Sequence, residues 1–216
     1  MSSPPHLGHR QGQPLLAPES TSHAMEMILL RIYLLSGLVI HKAVWEIMKR
    51  QEHRPLGKTS QPLKTRLASG AKVAVLAVIV VQIILARELF PISHAPTTIR
   101  AAGLLLYTLG LVMAVTARIQ LGRNWSDIEK SYVKQDHALV AHGLYRVVRH
   151  PIYTGDLLLL LGLELALNSW AVIGAVAVAV YVRQQAIREE RNLIERIPGY
   201  DQYCRRTARF VPFLPV

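Results

Sequence analysis

Apolar residues in this chain fall into long runs separated by short polar and basic stretches, unlike the one-faced or alternating patterns of a soluble core. Five runs approach the ~20 residues a helix needs to cross a ~30 Å hydrocarbon layer. They are Met25 to Met48, Gly70 to Phe90, Ala101 to Leu121, Ile152 to Asn168 and Trp170 to Ile187. The second and third are the cleanest: Val73 to Ala86 carries Gln82 as its one polar residue, and Ala101 to Ala117 only Thr108, Thr116 and Tyr107. Arg31, His41, Lys42 and Glu46 interrupt the first. Arg31 and Lys42 lie near its opposite ends, where long stems let the charge reach the headgroups; the alternative is an amphipathic helix lying in the interface. The last two runs are short and separated by Ser169, which predicts a tight helical hairpin. The pattern predicts an all-α integral-membrane bundle of about five transmembrane helices.

Composition points the same way. The 216 residues are 51% hydrophobic and 18% charged, with a mean hydropathy of +0.25, which excludes a disordered chain and argues against an ordinary soluble one. The net charge of +11 would suggest a nucleic-acid or anionic-lipid partner in a soluble protein. Here the basic residues sit between apolar runs, so their expected role is to orient the chain, and no nucleic-acid partner is expected. Twenty of the 25 Lys and Arg residues lie in three segments that alternate correctly for one side: Lys49 to Lys72, Arg118 to Arg149, and Arg183 to Arg209. The excess of basic residues marks cytoplasmic loops, so five spans with an external N-terminus and a cytoplasmic C-terminus satisfy the rule. The expected location is an integral membrane position, in a bacterial inner membrane or the endoplasmic reticulum.

Organisation along the chain is expected to be a disordered tail over residues 1–24, transmembrane helices 1 to 3 over 25–121, and a catalytic region over 122–216 that holds helices 4 and 5 and a cytoplasmic tail. The tail lacks the charged, apolar and small-residue regions of a signal peptide. Its His6, His9 and His23 are irregularly spaced in Pro- and Gly-rich sequence and read as solvated, so no metal site is expected. Cys204 is the sole cysteine and excludes an intramolecular disulfide or a Cys-based zinc site. No internal repeat supports an inverted-repeat transporter.

Chemistry concentrates in residues 122–155 and 183–212. The segment His142 to Gly155 places two tyrosines, arginines and histidines at the entrance of a membrane helix. Pro151 suits the first helical turn and pushes the residue before it to extended geometry, so His150 should project sideways. Free N–H groups at the helix start favour a carboxylate. The set fits an amphipathic nucleoside ligand, or equally an interfacial belt of anchors. Within the span, Asp156 and Glu164 lie eight residues apart on nearly one face, which allows a proton relay; the simpler reading makes Asp156 an interfacial cap and turns Glu164 toward a neighbouring helix. Farther on, Glu189 and Glu190 point about 100° apart on a helix, so one should face a site and the other solvent or Arg188. Pro198-Gly199 is a helix stop, and the run from Tyr200 to Phe213 reads as a basic-aromatic segment lying on the membrane surface.

Taken in order, Gly122-Arg123-Asn124-Trp125-Ser126, His137-Ala138-Leu139-Val140, Gly143-Leu144-Tyr145-Arg146, Arg149 to Gly155, Glu189-Glu190 and Tyr200 to Arg209 resemble the isoprenylcysteine carboxyl methyltransferase family. The wider group of small membrane methyltransferases includes the phospholipid N-methyltransferases. The resemblance covers roughly residues 100 to 213. It implies S-adenosylmethionine as methyl donor, bound in a cytoplasmic pocket between the last helices and the C-terminal tail. His137, Ala138, Leu139, Val140 and Tyr145 would line the adenosine part, His150, Pro151, Ile152 and Tyr153 would meet the methionine and sulfonium end, and Glu189 would hold the donor from the fifth helix. It also implies a lipophilic acceptor, a prenylcysteine or a lipid. Gln185 falls where the carboxylate-methylating members carry an arginine facing the substrate, and a neutral amide does not replace that charge. A phospholipid amine or small thiol is the alternative acceptor. A membrane NADPH reductase sharing the C-terminal architecture and a non-catalytic membrane protein are readings from other classes; no dinucleotide Gly-rich fingerprint is present. No metal, covalent nucleophile or single catalytic residue is implied.

The topology has a direct check. Cysteine-accessibility labelling in intact cells should find residue 60 and native Cys204 in the cytoplasm and residues 10 and 94 outside; labelling of 10 and 60 on one side would remove the first span.

Overall fold

The computed structural model describes residues 18–51, 63–85, 91–124 and 138–212. Six α-helices follow one another in these residues: α1 (Pro18–Gln51), α2 (Leu63–Leu85), α3 (Thr97–Leu121), α4 (Pro151–Ala166), α5 (Val172–Arg196) and α6 (Tyr200–Arg206). Single 3₁₀ turns occupy Gly122–Asn124 and Gly143–Arg146. Among the described residues there is no named strand, and the isolated bridges Pro91 to Ser169 and Val148 to Ala208 serve as ties. Among the described residues, each long apolar run lies mainly on a helix. Helix α1 begins at Pro18, so the expected tail of residues 1–24 is too long: Pro18 is suited to a first helical turn, and the helix takes in residues 18–24. Helices α2 and α5 likewise extend beyond the apolar runs that mark them, because helix length is not limited to its apolar part. By length and composition, Thr21–Arg50 and Thr97–Leu121 each suffice to cross a bilayer, and Val73–Leu85 is a shorter apolar helix.

Helices α3 and α4 form the centre of the bundle. On α3, Gly103, Tyr107, Gly110 and Ala114 are all buried, and Gly155, Leu159, Gly162 and Ala166 repeat the same spacing on α4. The two sets meet antiparallel. A β-carbon built on Gly110 would strike the backbone of Leu159, one on Gly162 the backbone of Tyr107, and one on Gly103 the backbone of Ala166. Membrane helices gain little from excluding lipid, so close backbone packing between small residues is a main source of association. Here the glycines permit that approach along the whole length of the pair.

Hydrogen bonds hold the outer helices. The Tyr107 hydroxyl donates to the Leu34 carbonyl at 2.6 Å, and Tyr33 and Thr108 share a bond of 2.6 Å, fastening α1 to α3. Gln82 on α2 donates to Glu164 at 2.8 Å and to Ser169 at 3.3 Å. Glu164 is therefore turned toward a neighbouring helix, while Asp156 makes no cap and pairs with His41 of α1 at 2.9 Å. The hairpin between α4 and α5 turns at Asn168, which has φ of 54° and exchanges side-chain bonds with Ser93, accepting at 3.1 Å and donating at 2.8 Å. Asparagine tolerates this left-handed conformation better than most residues. Large apolar side chains such as Ile32, Val39, Val78, Leu105, Val112, Ile173 and Val176 face outward, as an integral-membrane bundle requires.

The seam yields a test. Gly110→Leu should separate α3 from α4, lower the unfolding midpoint in detergent and cost about 1–3 kcal/mol or more through overpacking, whereas Gly174→Leu, at a position with open space around it, should change stability little.

Candidate functional site

The site is assembled where the chain enters α4. Pro151 occupies the first turn of that helix, and His150 before it has φ of −121° and ψ of 59°, outside the helical region. Its ring leaves the helix line as the sequence predicts and is buried. The segment is also paired with the chain end: the Arg149 N–H donates to the Ala208 carbonyl at 2.8 Å and the His150 N–H to the Arg209 carbonyl at 3.1 Å. Thr154 shares its hydroxyl proton between the His150 carbonyl at 3.1 Å and the Phe210 carbonyl at 3.2 Å. Residues 207–210 therefore form a strap across the start of α4. The sequence suggests a segment lying on the membrane, but Tyr200 and Tyr203 are buried, and the Tyr203 hydroxyl donates to the Tyr145 carbonyl at 2.5 Å. Burial pushes both phenols above their usual pKa, so they stay neutral donors.

One carboxylate gathers this strap. Glu190 accepts from Arg149 Nε at 2.8 Å, from Arg209 Nη2 at 2.8 Å, and lies 3.0 Å from His150 Nε2. Its side chain is 6% exposed, so the pairing occurs away from solvent. Burial alone would raise the carboxyl, but hydrogen bonds from His150, Arg209 and Arg149 outweigh it and hold Glu190 well below the usual carboxylate range. Arg149 also donates through Nη1 to the Cys204 carbonyl at 2.6 Å and to the Thr207 carbonyl. The expectation that one of the two glutamates meets solvent or Arg188 is not met: Glu190 points into the protein. Its neighbour is half-buried and faces α4, where Glu189 accepts from the Tyr153 hydroxyl at 2.8 Å. The His150 and Tyr153 rings stack at 5.3 Å with 6° between planes, and Phe210 lies 5.8 Å from His150.

The structure therefore brings together His150, Tyr153 and Glu189, with Pro151 buried beneath them and Ile152 half-buried beside them. Gln185 is half-buried one turn before Glu189 on α5. Ala138 is held by its N–H to Asn124 Oδ1 at 3.0 Å, with Leu139 and Val140 following it, and His137 lies outside the described residues. Tyr145 is different: it is buried and its hydroxyl donates to the Ala117 carbonyl at 3.3 Å, so its phenol is directed into α3 and acts as a strut. The adjoining turn needs Gly143, whose φ is 57° and where a β-carbon would collide with Gln120. Gln120 in turn accepts the Leu144 N–H at 2.9 Å. Cys204 is held protonated by burial, which raises its pKa and leaves it a poor nucleophile. Among the described residues no cluster of three or more His, Cys, Asp or Glu could hold a metal. Arg149 and Arg209 are the functional residues sequence reasoning left unassigned; the Arg-His-Pro run carried the first, and only the fold reveals the second.

An all-helical membrane bundle with a polar, aromatic site at one end of two closely packed helices defines the class. Residues 98–200 match the family model described as phospholipid methyltransferase. Protein-S-isoprenylcysteine O-methyltransferase A of Arabidopsis thaliana is 33% identical over 117 residues, covering 52% of this chain and 58% of that protein. Cobalt-zinc-cadmium resistance protein CzcN of Cupriavidus metallidurans is 36% identical over 112 residues, covering 51% of this chain and 50% of that one. The chain thus spans just over half the length of these curated relatives. The solved structure of the eukaryotic intramembrane Ras methyltransferase ICMT, isoprenylcysteine carboxyl methyltransferase, superposes with a TM-score of 0.60 at 19% identity, over 93% of this chain and 70% of that chain. The sequence similarity to membrane methyltransferases thus lies in about half of the chain, and the solved structure shares its fold.

Removal of Glu190 should be the most damaging single change at the site. Glu190→Ala leaves Arg149 buried without its partner, and breaking such a pair costs about 3–5 kcal/mol; Glu189→Ala should leave the unfolding midpoint in detergent nearly unchanged. Because the Glu190 carboxyl sits below its ordinary value of 4.5, its stabilisation is fully present above that value and is lost only as pH falls through the depressed one. Unfolding midpoints measured from neutral to acid pH should therefore hold for wild type until strongly acid conditions, and Glu190→Gln should lose that final acid-dependent fall.

Proposed function

We infer that the protein is an S-adenosylmethionine-dependent integral-membrane methyltransferase acting on a lipophilic acceptor, of the kind its relatives are named for. It has about five spans, a cofactor pocket and a C-terminal tail on the cytoplasmic side. The observation that carries this reading is the Tyr153 to Glu189 contact beside the stacked His150 ring, at the membrane entrance of α4. The residues present fit the donor chemically: a half-buried carboxylate suits ribose hydroxyls or a sulfonium, and aromatic faces attract a cation and stack on a base. When bound, the donor supplies an activated methyl on a sulfonium, so no metal or covalent nucleophile is called for.

The protein's own contribution is placement. Glu190 fixes Arg149, His150 and Arg209, so the strap and the α4 entrance form one rigid wall. Tyr153 holds Glu189 in a single orientation. Bringing the acceptor atom to within ~3–3.5 Å of the methyl group in line converts a bimolecular encounter into an oriented one. Prenylcysteine carboxylate is the first acceptor to test because the curated relatives are named for it, and Gln185 is the residue that sets this chain apart from carboxylate-gripping members.

The test gives membranes containing the protein labelled S-adenosylmethionine with a panel of prenylcysteine, phospholipid-amine and thiol acceptors, and asks which becomes labelled. Calorimetric titration of the donor should show affinity falling roughly tenfold or more in His150→Ala, Tyr153→Ala and Glu189→Ala, consistent with the ~1.5–3 kcal/mol of a charge-assisted contact. Tight binding of NADPH instead of S-adenosylmethionine would replace this reading with a reductase.

A further inference from the structure

A second pair of titratable groups lies one turn deeper than the Tyr153 to Glu189 contact, and the site just described does not use it. His41 Nε2 of α1 is 2.9 Å from Asp156 Oδ1 of α4, and the Trp45 ring stacks on the imidazole at 4.0 Å with 19° between planes. Asp156 follows Tyr153 by three residues on the same face of α4, about 5 Å farther into the membrane at 1.5 Å per residue. The Tyr153 hydroxyl bonds Glu189 of α5, so Asp156 lies one turn along α4 from that contact. The His41 and Asp156 side chains are 24% and 43% exposed. A fully covered clamp between helices would bury both, and a carboxylate open toward hydrocarbon is costly. This pair has room for a polar group beside it. His41 also lies outside the matched residues 98–200.

We propose that His41, oriented by Asp156, accepts the proton of an ammonium-bearing lipophilic acceptor as its nitrogen is methylated. This rests on the methyltransferase reading and narrows its acceptor. The imidazole Nε2–H donates a hydrogen bond to Asp156, which leaves the lone pair on Nδ1, and the Trp45 ring stacks on its plane. The acceptor's ammonium gives its proton to Nδ1. The amine lone pair then forms the N–C bond while the donor's C–S bond breaks, its electron pair staying on sulfur, and the imidazolium proton passes to water. Electrostatics select the same acceptor: Asp156 and Glu189 attract an ammonium and repel a carboxylate, while Arg149 and Arg209 are committed to Glu190. The titratable and charged groups next to the pair along its own helices are Tyr153 of α4, three residues before Asp156, and Lys42 and Glu46 of α1, the last bonded to Arg50; Tyr153 in turn bonds Glu189 of α5. The apposed stretch of α3, Gly110 to Ala114, and the apolar part of α2, Val73 to Leu85, carry no titratable side chain.

The experiment uses the full chain in detergent with short-chain phosphatidylethanolamine and, separately, a prenylcysteine carboxylate. Expected are turnover of the ethanolamine lipid and a fall in kcat of roughly a hundredfold or more in His41→Gln. That variant should also lose the acid limb of the kcat profile, keep its affinity for S-adenosylmethionine, and be partly rescued by added imidazole. Asp156→Asn should weaken binding of the ethanolamine lipid to the donor-free protein several-fold. Tyr33→Phe, which removes a different hydrogen bond of α1, should leave rate and profile as in wild type. Retention of wild-type kcat and pH profile by His41→Gln, or turnover of the carboxylate with none of the amine, overturns the proposal while the methyltransferase reading stands. Failure of wild type to bind S-adenosylmethionine overturns both.

Discussion

The backbone contact between α3 and α4 is the constraint on which the rest of the molecule depends. Two helices that meet glycine against backbone at four successive levels cannot slide or rotate without collision. Their ends are therefore fixed relative to each other. At one end this sets Gln120 beside the Gly143 to Arg146 turn and Asn124 beside Ala138. At the other it fixes Glu164 and Asn168 against α2 and the segment before α3. A methyl-transfer site needs its parts held to fractions of an ångström, and a membrane bundle with large residues at this seam would offer only a soft, lipid-like contact.

On this frame the site is built from three stretches of chain that are distant in sequence: the entrance of α4, the late turns of α5 and the strap at residues 207–210. Glu190 joins all three with one side chain. A buried carboxylate with two arginines and a histidine does not gain much net stability compared with apolar packing. Its value is that few other arrangements satisfy the carboxylate and its three partners at once, so the geometry is unique. Tyr153 and Glu189 inherit that fixed geometry from their neighbours His150 and Glu190.

Much of this was legible in sequence because it is local. Apolar run length marks helices, Pro151 turns His150 aside, and Pro198-Gly199 ends α5. The start of α1 was not, because tail-like composition before Met25 does not prevent a helix that has Pro18 in its first turn from growing. A helical wheel states that Glu189 and Glu190 diverge, yet which one is inward depends on where Arg149 and Arg209 lie, 41 and 19 residues away. The inward turn of Tyr200 and Tyr203 was hidden for the same reason: basic and aromatic composition suits a membrane surface and a buried strut equally. His41 and Asp156 are 115 positions apart and neither sits in a motif.

The strap has a consequence for biosynthesis. Each apolar helix can enter the bilayer as it leaves the ribosome, but Glu190 on α5 waits for Arg209, and the His150 N–H waits for the Arg209 carbonyl. Nascent chains can thus be fully inserted while the wall that residues 207–210 add to the site is still missing. The site is completed in one late step, so a chain halted before Arg209 would occupy the membrane with Glu190 lacking one of its two arginines.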